Sequence, residues 1–156
     1  MSDPRKAVAA AGCVVLIDQV SKSLAEVPAV SEAVPFVYPI TNPGLTLGVV
    51  DVARWTEVVL MTVVILGGAF VMARMHRRGY RHEALNGLVI GGAVGNLLDR
   101  ALLGSVRDFL SFGSVVVNVA DLAVVFGVGA LCLHAVTGAV RNRQSSTCSH
   151  PAESSA

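Results

Sequence analysis

The chain has 156 residues, of which 53% are apolar and 15% charged, with a formal net charge of +1 and a mean hydropathy of +0.64. About a quarter of the residues of a soluble globular domain are charged, so this composition excludes that class and also a largely disordered chain. A nucleic-acid-binding protein is excluded as well, because there is no basic excess to neutralise phosphates. The composition predicts a small protein with several membrane-spanning helices.

Four stretches of the chain favour helices that cross a membrane, which takes about 20 mostly apolar residues each. The run from Val58 to Ala73 contains no charged residue and gives the strongest signal. We predict helices at approximately 7–26, 56–75, 83–102 and 115–140, the first of which carries Asp18. The predicted fold class is therefore an all-α membrane protein, a bundle of four transmembrane helices.

Eight of the twelve basic residues fall on one side of the membrane if the chain crosses it four times. They precede the first helix, fill the link between the second and third, and follow the fourth: Arg5, Lys6, Arg74, Arg77, Arg78, Arg81, Arg141 and Arg143. Because Lys and Arg concentrate in cytoplasmic loops, we expect both termini in the cytoplasm. Residues 27–55 and 100–114 then lie on the outer side.

The outer segment after the first helix contains four prolines among β-branched and aromatic residues. This composition predicts short extended pieces and turns rather than a helix, and hence a small extracytoplasmic β-rich segment between helices 1 and 2. We assign residues 1–143 to a single membrane-embedded domain. Residues 144–156, which are rich in serine, are predicted to form a disordered cytoplasmic tail.

Polar residues gather at the outer ends of the predicted helices and in the outer connections. Within a membrane such residues are costly, so they indicate function by default. They come from five regions of the chain and comprise Asp18, Lys22, Asn42, Gly44, Asn96, Asp99, Arg100, Asp108, Asn118 and Asp121. The sequence therefore predicts one polar site at the outer face of the bundle.

Some of these residues also have a structural interpretation. Asp18 and Lys22 are four residues apart, and an ion pair within one helix explains them better than catalysis does. Asn96, Asp99 and Arg100 fit a helix end with a charge pair about as well as a contact to substrate. The polar residues alone do not decide between these interpretations.

Two further patterns are interpreted as structural. Gly87, Gly91 and Gly95 recur at every fourth residue, which is typical of close helix packing in membranes. Three histidines have no partner at a ligand spacing: His76, His82 and His134. We therefore predict neither a catalytic histidine nor a metal site.

Asp121 is the carboxylate that a structural role explains least. It lies one turn inside the fourth predicted helix, and no Lys or Arg occurs between Arg107 and Arg141. It must then be protonated or share a proton with another carboxyl group, for which Asp108 and Asp99 are the candidates. Two carboxyl groups held together in an apolar setting cannot both ionise, so one can act as a base and the other as an acid.

Five sequence blocks, in order, resemble the lipoprotein signal peptidases (signal peptidase II), a family of bacterial four-helix intramembrane aspartic proteases. The blocks are Asp18-Gln-Val-Ser-Lys22, Asn42-Pro-Gly44, Gly91-Gly-Ala-Val-Gly-Asn96-Leu-Leu-Asp99-Arg100, Val106-Arg-Asp108-Phe109 and Asn118-Val-Ala-Asp121. The resemblance covers roughly residues 10–135. Five blocks in order, with compatible spacing, are far more specific than any one of them.

The resemblance implies that Asp108 and Asp121 are the catalytic pair. Five residues are implied to line the site and position the substrate or the pair: Asn42, Gly44, Asn96, Arg100 and Asn118. Three are implied to support the outer ends of the helices: Asp18, Lys22 and Asp99. No cofactor or metal is implied.

The implied reaction is hydrolysis of one peptide bond in a bacterial prolipoprotein that carries diacylglycerol on a cysteine, directly before that cysteine. One carboxyl group would activate water while the other acts as an acid. The implied partners are diacylated prolipoproteins and membrane lipid, with no nucleic acid and no obligate protein partner. The implied location is the bacterial cell membrane, with the active site near its outer face.

Two positions depart from the usual pattern of that family. Leu45, Thr46 and Leu47 follow Gly44, where the family has small and aromatic residues. Arg107 stands where the family usually has an apolar residue. These differences concern the substrate loop and inhibitor affinity rather than the catalytic pair.

A small transporter or proton-relay subunit is the main alternative from another functional class. Such a protein needs polar residues through the full depth of the bundle, whereas the second helix has almost none between Glu57 and Arg74. The fourth helix has only His134 and Thr137 deep inside. The one-sided cluster favours a peptidase over a transporter, and over a scaffold whose polar contacts are only structural.

Overall fold

The computed structural model describes residues 4–43, 54–77, 79 and 82–148. The elements are, in order, α1 (Pro4–Ala25), α2 (Pro28–Ala33), β1 (Val37–Asn42), α3 (Arg54–Arg77), α4 (Glu83–Leu103), β2 (Val106–Phe112), β3 (Val115–Val117) and α5 (Val119–Cys148). The four long helices occur where the sequence predicts them. Large apolar side chains such as Leu66 and Phe70 on α3 are exposed, as expected for contact with lipid.

Helix α4 packs against the three other long helices, α1, α3 and α5. Its glycines make this possible. A Cβ atom on Gly91 would lie 2.7 Å from the backbone oxygen of Ala11, and one on Gly92 would collide with the backbone oxygen of Ala120. Small residues allow helices to approach this closely where lipid supplies no hydrophobic drive. The predicted packing role of the glycine repeat is confirmed.

Three helical segments in the described part of the chain are long and apolar enough to span a membrane: Arg5–Ala25, Trp55–Arg77 and Val119–Gly138. Helix α4, the remaining predicted crossing, is not among them. It carries polar residues near its C-terminal end, and Asp99 and Arg100 there are buried against other parts of the protein. The fold is thus mostly helical, with three candidate membrane spans and one small sheet.

The sheet has three antiparallel strands in the order β1-β2-β3. Strand β1 comes from the connection between α1 and α3, and pairs with β2 so that Ile40 lies opposite Asp108. Strand β3 pairs with β2 after a turn at Gly113, which has a φ of 73° that favours glycine. The sheet therefore joins the connection between α1 and α3 with the connection between α4 and α5, rather than lying in the first one alone.

Three details of the sequence prediction are wrong. The fourth helix does not include residues 115–117, because three consecutive valines form β3 against β2, and α5 begins only at Val119. The segment after α1 is helical at Pro28–Ala33, because Pro28 lies in the first turn, where its missing N–H group removes no hydrogen bond. The predicted disordered tail is also wrong at residues 144–148, which belong to α5, and the rest of that tail lies outside the described residues.

Candidate active site

A buried ion cluster joins α1 and α4 at the end of the helices next to the sheet. The Lys22 Nζ atom lies 2.7 Å from an Asp18 carboxylate oxygen and 3.1 Å from an Asp99 oxygen, and all three side chains are 1% exposed or less. Charges buried to this degree are tolerated only when they are paired and hydrogen-bonded. The predicted pair of Asp18 and Lys22 is confirmed, with Asp99 as a further partner.

Arg107 brings a second positive charge to this cluster from strand β2. Its Nη2 atom lies 2.9 Å from Asp99 Oδ1, and its backbone N–H donates to Asp99 Oδ2 at 3.0 Å. Nη2 also donates to Gln19 Oε1 at 2.8 Å. The hydrogen bond to Asp99 is the largest factor that raises the pKa of Arg107. Asp18 and Asp99 thus share two cations, Lys22 and Arg107, and the exposed Glu26 carboxylate lies 3.6 Å from Arg107 Nη1.

The interpretation of Asp99 and Arg100 as a charge pair is wrong. Asp99 contacts Lys22 and Arg107, while the Nε atom of Arg100 lies 3.4 Å from Glu57 Oε2 at the start of α3. Adjacent residues on a helix point about 100° apart, so they serve different neighbours. Arg100 and Glu57 are both buried and connect α4 to α3.

Two asparagines connect the ion cluster to Asp121. Lys22 Nζ donates to Asn96 Oδ1 at 3.2 Å, and since an ammonium group can only donate, the Asn96 Nδ2 group must face the other way. That group donates to Asp121 Oδ1 at 2.7 Å. Asn118 Nδ2 also donates to Asn96 Oδ1, at 3.1 Å. The buried lysine therefore determines which group of Asn96 meets the Asp121 carboxylate.

Asp121 lies in the first turn of α5, where it forms a capping box with Asn118. The Asn118 side-chain oxygen accepts from the Asp121 N–H at 2.9 Å, and the Asn118 N–H donates to Asp121 Oδ2 at 3.2 Å. Asp18 satisfies another amide of this turn, because its Oδ1 accepts from the Ala120 N–H at 2.9 Å. The local sequence thus fixes the position of Asp121 at the end of the helix.

Asp108 lies on β2 and is only 3% exposed. Its two carboxyl oxygens accept hydrogen bonds from different amides, Oδ1 from Asn118 Nδ2 at 2.6 Å and Oδ2 from Asn42 Nδ2 at 3.2 Å. Burial raises the pKa of Asp108, and the nearby Asp121 charge acts in the same direction. The two amide hydrogen bonds lower it, but the net direction is upward.

Two cavities open next to Asp108. One, of about 210 Å³, is lined by charged residues that include Lys22 and Arg107. The other, of about 450 Å³, is lined by Asn42 and by apolar residues of the sheet such as Val115. Asp108 is therefore buried but lies beside space that a peptide segment could enter.

The structure brings most of the predicted site residues into one hydrogen-bonded network. The network contains Asp18, Lys22, Asn42, Asn96, Asp99, Asp108, Asn118 and Asp121. Arg100 lies one residue from the cluster and contacts Glu57. Gly44 and the Leu45–Leu47 segment lie outside the described residues.

Three residues contribute contacts that the sequence patterns did not predict: Gln19, Glu57 and Arg107. Gln19 donates to Asp99 Oδ1 at 3.0 Å and accepts from Arg107, so it bridges two members of the ion cluster. The need for Arg107 could have been inferred from charge, because two buried aspartates, Asp18 and Asp99, would otherwise have Lys22 as their one cation. No comparable signal distinguished Glu57, which stands at the start of an apolar helix.

Comparison with known proteins gives one consistent family. A family model described as Signal peptidase (SPase) II matches residues 10–137. A lipoprotein signal peptidase of Brevibacillus brevis is 32% identical over 143 residues, covering 85% of this chain and 96% of the relative. One from Halothermothrix orenii is 37% identical over 131 residues, covering 78% of this chain and 88% of the relative.

Solved structures share the fold at lower sequence identity. A bacterial membrane enzyme determined by the in meso method at 1.9 Å resolution has a TM-score of 0.64 and 21% identity, covering 82% of this chain and 90% of its own. A second, determined at 2.3 Å, has a TM-score of 0.65 and 18% identity, covering 96% and 94%. At this identity the likeness concerns the fold.

Replacing Arg107 tests whether the ion cluster needs its second cation. In Arg107→Met, Asp18 and Asp99 share Lys22 alone, and we expect the free energy of unfolding in detergent to fall by about 3 kcal/mol, as for a broken buried ion pair. The loss should be much smaller in an Asp99→Asn background, where the charge to be neutralised is absent. Arg74→Met, at an exposed position on α3, is the control. Unchanged stability of Arg107→Met contradicts this account.

Proposed function

The chain belongs to the signal peptidase II family and removes the signal peptide from prolipoproteins, and we propose that Asp108 and Asp121 catalyse this hydrolysis. The observation that carries the proposal is that Asn118 bonds to both carboxyl groups, through Nδ2 to Asp108 and through its backbone N–H to Asp121. Asp99, the other candidate for sharing a proton with Asp121, is occupied by Lys22, Arg107 and Gln19.

The two carboxyl groups have different environments, which suggests different roles. Asp108 is almost fully buried and its pKa is raised, so Asp108 is the group that holds a proton and acts as the general acid. Asp121 is half-buried in the first turn of α5, where its two carboxyl oxygens accept hydrogen bonds from Asn96 Nδ2 and from the Asn118 N–H. Asp121 is therefore the general base.

Hydrolysis then proceeds by direct attack of water. The oxygen of the water molecule bonds to the carbonyl carbon of the scissile peptide while Asp121 takes one of the water's protons. At the same time Asp108 gives its proton to the carbonyl oxygen. The tetrahedral intermediate breaks its C–N bond as Asp121 returns the proton to the leaving nitrogen. Asp108 regains its proton from the collapsing hydroxyl group, so both residues end in their starting state.

The surrounding residues position the pair. Asn42 and Asn118 hold Asp108, and Asn96 holds Asp121. Asp18, Lys22 and Asp99 act through these amides and through α5, because they contact neither reacting group directly. We extend the substrate-positioning role to Gly44 and Arg100 on the family pattern.

The substrate class that fits is a prolipoprotein whose cysteine already carries diacylglycerol. The cavity on the sheet side of Asp108 combines Asn42 with the apolar residues Ile40, Val115 and Val116. Such a lining suits a peptide next to a lipid chain, with cleavage directly before the lipidated cysteine. Cleavage requires no nucleic acid and no second protein.

We further propose that all four long helices cross the membrane, with both termini and the 74–81 link in the cytoplasm. Asp99 and Arg100 of α4 are buried, and eight of the twelve basic residues lie before the first long helix, in the 74–81 link or after the fourth. This orientation places the site at the outer interface of the cell membrane, within a single domain over residues 1–143.

The orientation can be tested by cysteine labelling of intact spheroplasts, in a variant whose three native cysteines are replaced by serine. A membrane-impermeant maleimide should label Ser114→Cys, next to the β2–β3 turn, and not Arg77→Cys, at the end of α3. After lysis both positions should react, since both are exposed. Labelling of Arg77→Cys alone in intact spheroplasts contradicts the proposed orientation.

Cleavage of a purified diacylated prolipoprotein, followed by gel shift, tests the catalytic pair. Asp108→Asn and Asp121→Asn keep the shape of the side chain but cannot exchange the proton, so we expect losses of about 10²- to 10⁴-fold. Asp99→Asn should fold and keep part of the activity, because Asp99 contacts only supporting residues. Full activity of either Asp108→Asn or Asp121→Asn places the pair elsewhere, with Asp99 as the next candidate.

The pH profile of kcat/KM tests the role of Asp108 as the acid. The Asn42 N–H favours the ionised form of Asp108, so Asn42→Ala raises the pKa of Asp108 further. Activity requires the protonated acid, and the alkaline limb of the profile should therefore move to higher pH. Thr41→Ala, one residue away on β1, should leave the limb in place. A limb that is unmoved or lower in Asn42→Ala contradicts the assignment.

A further inference from the structure

Another cavity lies between α3, α4 and α5, far from the proposed catalytic pair. It has a volume of about 400 Å³ and is lined mainly by Gly67, Gly68, Val71, Met72, Met75, Leu131 and Ala135. His134, which also lines it, is 13 residues beyond Asp121 on α5, or about 20 Å along the helix. The cavity is therefore at the end of the bundle that carries the basic link.

Three polar side chains converge on one part of this apolar cavity: His82, Asn86 and His134. The imidazole rings of His82 and His134 stack with their centroids 4.5 Å apart, although 52 residues separate them in sequence. Apart from this ring contact, these three side chains make no hydrogen bond or ion pair within the described residues. Their spacing in the sequence gives no sign that these two histidines meet.

Polar groups without partners are costly beside hydrocarbon, which gives this cluster a reason to bind something. Each imidazole and the Asn86 amide can donate an N–H, so acceptor oxygens on the polar part of the occupant would satisfy all three side chains. The remaining lining is apolar, so the rest of the occupant must be hydrocarbon. A cavity with an apolar wall and a few convergent polar groups is typical of a ligand site.

The charged residues near the cavity indicate which kind of headgroup the occupant carries. Arg74 lies on α3 between Val71 and Met75, and the chain continues with Arg77, Arg78 and Arg81. Against these four arginines stands one nearby acidic residue, Glu83, which directly follows His82. The excess of positive charge favours an anionic headgroup.

We propose that this cavity is a binding site for an anionic phospholipid from the leaflet at the basic end of the bundle. Its phosphate oxygens accept hydrogen bonds from His82, Asn86 and His134, and one acyl chain fills the space between α3 and α5. The lipid stabilises α3, which otherwise packs mainly against α4. This site is separate from the peptidase site and does not depend on the catalytic assignment.

Lipid binding to the full chain in an uncharged detergent tests the proposal, with native mass spectrometry for affinity and thermal unfolding for stability. The probes are phosphatidylglycerol, phosphatidylcholine with the same acyl chains, and inorganic phosphate. Phosphatidylglycerol should bind in one copy and raise the melting temperature more than phosphatidylcholine does. Inorganic phosphate should leave the melting temperature unchanged, since it lacks an acyl chain.

Phenylalanine substitutions separate the hydrogen bonds from the ring stacking. His82→Phe and His134→Phe keep an aromatic ring but lose the N–H donors, and each should weaken phosphatidylglycerol binding about tenfold. His76→Phe, the same substitution outside this cavity, should bind as the wild type does. The comparison of the three probes uses the wild type alone, so it tests the proposed lipid site even if a variant fails to fold.

Three results would overturn the proposal. Equal stabilisation by phosphatidylcholine and phosphatidylglycerol means that the site recognises only the acyl chain and not the headgroup. The same stabilisation by inorganic phosphate means a site for free anions. Wild-type affinity in both His82→Phe and His134→Phe means that the lipid binds elsewhere. Since all readouts concern binding and stability, none depends on whether the peptidase assignment holds.

Discussion

The buried ammonium group of Lys22 is the feature on which the rest of the site depends. It lies between Asp18 on the same helix and Asp99 on α4, out of contact with water. Because it can only donate hydrogen bonds, it also determines the orientation of Asn96 and hence the donor that Asp121 receives. Asp18 in turn bonds to the first turn of α5. The Lys22 cation thus connects α1 to α4 directly and to α5 through Asp18.

The sheet adds the second half of the site. Arg107 fixes β2 to Asp99, and the next residue of that strand is Asp108. Strand β1 brings Asn42 to the same carboxyl group through its pairing with β2. One carboxyl group of the pair is therefore buried on a strand, and the other is half-buried in the first turn of a helix. In the proposed mechanism this difference in environment separates the acid from the base.

The sequence predicted the long helices well, because apolar length is a local property. It predicted the start of α5 poorly, because Val115–Val117 is as apolar as a helix and only its pairing with β2 makes it a strand. The helical turn at Pro28 was missed because four prolines in one segment obscured the one position where proline favours a helix. The ion pair of Asp18 and Lys22 was predictable from its spacing alone.

The sequence by itself determined the membrane class, the family and the polar residues that gather at one end of the bundle. Composition, local spacing and ordered motifs carry that information without reference to neighbours. Only the tertiary structure decided which polar groups meet: Gln19 with Asp99 across 80 residues, Arg100 with Glu57, and His82 with His134. Partners of buried charges are chosen by helix packing and strand register, and both arise from contacts between segments far apart in the chain.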